Sequence, residues 1–63
     1  MEKERIEELA QAIANIEKQA KDNLITPDEA EDAILDLVLK DGLFGLHHMD
    51  EIDNRAREIL KES

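Results

Sequence analysis

The chain contains no cysteine, tryptophan or tyrosine, and only one phenylalanine, one proline and two glycines among its 63 residues. Without cysteine there can be no disulfide and no thiolate zinc site. A cysteine-free chain is at home in a reducing compartment. Missing Trp and Tyr remove the stacking platforms that hold single-stranded nucleic acid. Basic residues are also scarce: eight Lys and Arg stand against 17 Asp and Glu, for a net charge of −9. Phosphate backbones and anionic membrane surfaces call for clustered Lys and Arg, so direct nucleic-acid binding and membrane binding are not expected. A partner with a basic surface is, because opposite charge speeds encounter. No run of 18 apolar residues is present, so no transmembrane helix is expected. The opening MEKERIEEL has no apolar stretch of the length a signal peptide needs, and the expected location is the cytoplasm.

What remains is an inventory suited to helices. Eight Leu, seven Ile, seven Ala, one Val, one Phe and two Met supply the apolar side chains. A chain this short buries only about 60% of its unfolded surface, and is stable alone only with very good packing or with a partner. Its length allows one domain at most.

Residues 2–21 read as helix 1, with Ile6, Leu9, Ala10, Ile13, Ile16 and Ala20 at spacings of three and four. Glu2 and Glu4 in its first turn and Lys18 and Lys21 near its end suit the helix dipole, and Glu17 and Lys21 are placed to pair four residues apart. Asp22-Asn23 ends this helix, Asn being tolerated in the left-handed conformation. Leu24 and Ile25 are expected to lie buried beneath the turn. Thr26-Pro27-Asp28-Glu29 is a strong helix start, with Thr26 as cap, Pro27 at the first helical position and Glu29 completing a capping box. Helix 2 runs from there over 27–41, and Gly42 closes it in a left-handed cap. Gly42-Leu43-Phe44-Gly45 resembles a nucleoporin repeat unit, but it occurs once, between helices. It reads instead as a tight apolar corner whose Phe44 plugs the core. Helix 3 spans about 48–61, with Met49, Ile52, Ala56, Ile59 and Leu60 as its stripe, and Glu62 and Ser63 read as frayed. The expected fold is all-α: a small three-helix bundle with short loops and scope to dimerise.

The most informative segment is helix 2. Ala30, Ala33, Ile34, Leu37 and Val38 make one ordinary core face, yet Leu35 and Leu39 point almost the opposite way. Asp28, Asp32 and Asp36 share or border that second face. An apolar pair ringed by carboxylates is a candidate partner surface, so Leu35, Leu39, Asp28, Asp32 and Asp36 are the candidate binding residues. The acids alone equally describe a solvated face. Charge is concentrated here too: residues 22–42 carry a net −6, against −1 for 1–21 and −2 for 43–63.

Sites of other kinds find little support. His47 with Asp50 and Glu51 has helical spacing for a divalent ion, but nothing completes a four-ligand set. A calcium loop needs acids at alternating positions before its glycine, and LVLKDGLFGLHH has none. A recognition helix beginning His48-Met49-Asp50-Glu51 would set carboxylates against phosphates. No nucleophile is arranged for catalysis, since Ser63 is the sole serine and Thr26 is committed as a cap. Glu17 and Asp53 fall on core stripes, at an edge or in a buried pair. No catalytic, cofactor or metal site is therefore expected. The sequence identifies no family. Two functions fit: a small non-enzymatic adaptor or regulator that binds another protein and forms a homodimer, and an acidic decoy that mimics DNA against a basic nucleic-acid-binding protein, of phage or plasmid type.

Overall fold

The boundary that the sequence marks most clearly is formed as expected. In the computed structural model, which describes residues 2–62, Thr26 is extended and its Oγ1 accepts from the Glu29 amide at 3.1 Å. The Glu29 carboxylate accepts from the Thr26 amide at 3.2 Å in return. Two amides left over at the helix start are thereby satisfied reciprocally.

Four helices follow in order: α1 (Glu2–Lys21), α2 (Pro27–Lys40), α3 (Leu43–His47) and α4 (Met49–Glu62). No strand occurs among the described residues. The three long helices stand within a residue or so of where periodicity puts them. Glu62, expected to fray, closes α4, while Ser63 lies outside the described residues. The stretch read as a loop corner is itself the short helix α3. Gly42 takes a positive φ of 69° with ψ −140°, outside the left-handed helical well, and serves as the cap from which α3 starts.

Asn23 does adopt the left-handed conformation, at φ 63°. The Leu24 amide donates to the Gln19 carbonyl at 2.9 Å and the Asn23 amide to the Ala20 carbonyl at 3.1 Å. This is the paired closure of a Schellman motif. Leu24, expected to be buried, is instead 72% exposed. The motif usually packs the residue after the left-handed one on an apolar side chain of the last turn, and here Lys18 and Gln19 occupy those places.

The α1 helix is the hub. Both α2 and α4 pack on it, while α2 and α4 have little direct contact with each other. Its partners run against it in the antiparallel sense: Arg5 reaches Asp41 at the far end of α2, and Met49 at the start of α4 lies with Ala20 at the end of α1. Glu7 reaches Arg55 at the middle of α4. Leu9, Ala10, Ile13 and Ala14 of α1 meet Val38, Ile52 and Ala56 in the core. Ile13 and Ile52 are its largest fully buried side chains. Ala14 is a core residue because a small side chain lets helices approach closely. The remaining stripe residues Ile6, Ile16 and Ala20 are only half-buried, because the α1 stripe outruns the surface that α2 and α4 provide.

The α3 helix folds back on α2. Gly45 is buried against Val38, and a side chain there would sit 2.8 Å from the Val38 carbonyl oxygen. With Gly45 turned inward and Phe44 packed on the core, Leu43 and Leu46 are left facing out. The molecule is flat, measuring 33 × 24 × 14 Å between Cα positions.

Candidate functional site

Leu35 and Leu39 are 51% and 63% exposed, and the structure adds Leu43 at 85% and Leu46 at 56%. The last two belong to the stretch whose sequence reads as a tight apolar corner with Phe44 in the core. The signal that would have exposed them is their spacing of three: once 43–47 is helical, Leu43 and Leu46 share a face, and Gly45 occupies the opposite one. Asp28, Asp32 and Asp36 are exposed along α2. The five residues singled out in the sequence therefore all reach solvent, on the side of α2 turned from Ala30, Leu37 and Val38.

Exposed leucines are ordinary one at a time. Four in the twelve residues from 35 to 46 are not. The total accessible surface is 4791 Å², whereas a compact monomer of 7.2 kDa is expected to expose about 4,100 Å². The surplus of roughly 700 Å² approaches the ~800 Å² that each partner contributes to a standard protein interface.

Leu35 also lines an open groove of about 420 Å³, which the leucine face thus adjoins. Ala20 from the end of α1, Ala30 and Ile34 from α2, and Met49 at the head of α4 give it apolar walls. Its charged residues are Glu17 and Glu31. Glu17 was placed to pair with Lys21, and instead turns towards this groove. Burial pushes the Glu17 carboxyl above the usual Glu range, the nearby Asp53 adds to the rise, and Arg57 opposes it. Arg57 itself pairs with Asp53 at 3.2 Å.

The other arginines are engaged within the chain. Arg55 forks onto Glu7 through Nε at 2.6 Å and Nη2 at 3.0 Å, and its Nη1 reaches Glu58 at 3.1 Å. Those bonds, with one from Gln11, hold the Glu7 carboxyl below its usual range. Arg5 joins Glu8 at 3.0 Å and both carboxylate oxygens of Asp41, the residue that ends α2. These contacts raise the Arg5 guanidinium. They tie α1 to α4 and to α2 at two different points along its length.

Among the described residues no cluster of three or more His, Asp or Glu side chains is placed to hold a metal ion. The histidine that reaches a carboxylate is His48, whose Nδ1 lies 3.4 Å from Glu51. Its ring also stacks at a tilt on Phe44, with centroids 4.6 Å apart. No helix among the described residues is long and apolar enough to cross a membrane. Comparison with protein families, curated proteins and solved structures finds no match for this chain.

Proposed function

We propose that this protein is a small, non-enzymatic interaction module, an adaptor or regulator that works by binding other proteins and pairs with a second copy of itself. The observation that carries this reading is the set of exposed leucines on α2 and α3, Leu35, Leu39, Leu43 and Leu46. Completing the burial of each half-exposed leucine is worth roughly 1 kcal/mol, about half the value of a full Leu transfer. Together with the surplus surface this supplies a driving force for a modest dimer. The exposed carboxylates Asp28, Asp32 and Asp36 bias the choice of any further partner towards a basic surface.

Sedimentation at tens of micromolar, the range of weak dimers, tests the pairing. The wild-type chain is expected to sediment as a dimer and the L35K/L39K chain as a folded, helical monomer. A wild-type chain that stays at 7.2 kDa across that range would overturn the dimer. Loss of the helical circular-dichroism signal in the double variant would move these leucines into the intramolecular core.

A further inference from the structure

The groove between α1, α2 and the head of α4 has a shape that the leucine face lacks. Its floor is the uncovered end of the α1 stripe, and its walls are two helices that lean on α1 without closing on each other. This is the trough into which a further helix packs in a bundle. Small side chains at Ala20 and Ala30 let large ones approach, and Ile34 and Met49 offer flexible apolar flanks. Its volume, about 420 Å³, lies in the ~300–1,000 Å³ range of sites that bind ligands, enough for the anchoring side chains of one helix but not for a domain.

We propose that this trough is the docking site for an amphipathic helix of another protein, whose aliphatic side chains lie on Ala20, Ala30, Ile34 and Met49 and whose Lys or Arg side chains meet Glu17 and Glu31. The proposal rests on the reading of this chain as an interaction module and names the partner's chemistry. Charge selects the occupant. Both charged groups of the lining are acidic, Asp28 and Asp32 stand exposed on the same helix, and residues 22–42 carry a net −6. A second copy of this chain is poorly suited to enter: Arg5, Arg55 and Arg57 are already held by carboxylates of their own chain, and the five lysines are dispersed along the sequence at 3, 18, 21, 40 and 61. Glu17 gains most from the arrangement. Its charged form is disfavoured by partial burial and by Asp53, against which Arg57, itself paired with Asp53, is the weakest influence, and an incoming cation offsets both. Docking therefore draws the Glu17 carboxyl back down and releases a proton at pH values near its titration.

The probe is a synthetic peptide of about 15–18 residues, long enough to form a helix, with leucines at i, i+3, i+4 and i+7 and flanking lysines. A second peptide carries Glu at each Lys. Each is titrated into the isotopically labelled full chain, as wild type and as L39Q to remove competition from self-association. The Lys peptide is expected to move the amide resonances of Ala20, Ala30 and Ile34. The Glu peptide is expected to bind at least tenfold more weakly, and E17Q/E31Q to weaken the Lys peptide about tenfold, as for two lost charge pairs. Shifts confined to Leu39, Leu43 and Leu46 would overturn the groove site and leave the interaction-module reading standing. Equal binding of both peptides would overturn the charge selection, and no binding by either chain would overturn the proposal outright. Failure of the dimer is read separately, by sedimentation.

Discussion

Gly45→Ala adds one methyl group where α3 lies on α2. The new Cβ would sit 2.8 Å from the Val38 carbonyl oxygen and 3.2 Å from Val38 Cγ1. A side-chain methyl can swing aside, but this carbonyl cannot move freely. It accepts from the Asp41 amide at 3.2 Å in the last turn of α2, so relief requires α3 to move away as a unit. Overpacking of this kind costs about 1–3 kcal/mol. Opposing it, alanine favours the helical state over glycine by about 1 kcal/mol. Because the 2.8 Å contact is with backbone, the upper part of the overpacking range, about 2–3 kcal/mol, applies, and the net loss is roughly 1–2 kcal/mol. That is a large share of the ~3–9 kcal/mol expected for a chain of this length, and it lowers the melting temperature by roughly 5–15 °C. Thermal unfolding followed by circular dichroism measures it. Val38→Ala in the same background removes Cγ1 but leaves the carbonyl at 2.8 Å, so it relieves only the smaller part of the loss, a coupling of about 0.5 kcal/mol. An unchanged or raised melting temperature in Gly45→Ala would refute the close approach. Strong rescue by Val38→Ala would show that the side chain, not the backbone, sets the limit.

Thr26→Ala removes one half of the capping box and is expected to cost about 1 kcal/mol in chemical denaturation, with self-association unaltered at temperatures where the variant is folded. An unshifted midpoint would mean that the cap contributes nothing. The Glu7–Arg55 pair sets a pH dependence. Because Arg55 holds the Glu7 carboxyl below its unfolded value of about 4.3, the folded state binds that proton less readily. Its contribution to stability is complete above the unfolded pKa and is lost as pH falls through the lower, folded one. In Glu7→Gln the stability curve should flatten over that acid range. Identical acid limbs for both chains would show that the pair does not couple to folding.

Much of this architecture could be read from the residues. Thr26, Pro27 and Glu29 announce their helix start because capping is local chemistry, decided within four residues. Asn23 announces its left-handed turn for the same reason. The opposite faces of α2 are also legible, since 100° per residue separates Leu35 and Leu39 from Ala30 whatever the tertiary fold. Leu24 was misplaced because apolar character says that a residue is suited to burial, not that a surface exists to bury it. Leu24 meets Lys18 and Gln19 at the positions where the last turn of α1 would offer it an apolar contact, and the α3 leucines lie opposite the one glycine that fits against Val38. The groove could not be read at all. It depends on how far α2 and α4 diverge along α1, and no periodicity encodes that. Glu17 was visible as an acid on an apolar stripe, which is the one trace the groove leaves in the sequence.

The hub position of α1 has a consequence for the order in which the fold can form. The Glu7–Arg55 bond spans 48 residues, and Ile52 and Ala56 close the core over Ile13 from the last helix. During synthesis α1 is made first, yet it meets its main partner last. Pairing with α2 alone leaves Leu9, Ala10 and Ile13 short of the neighbours that α4 brings, so a nascent chain cannot complete its core until α4 has been made. The wait is short in thermodynamic terms, because loop closure grows more costly by only about 0.6 kcal/mol for each doubling of length. It is hazardous in another respect, since an apolar stripe stands open meanwhile. The acids of α2, exposed in the finished fold, belong to a stretch, residues 22–42, that carries a net −6 in the nascent chain as well, and their mutual repulsion disfavours contact between neighbouring unfinished copies until α4 arrives.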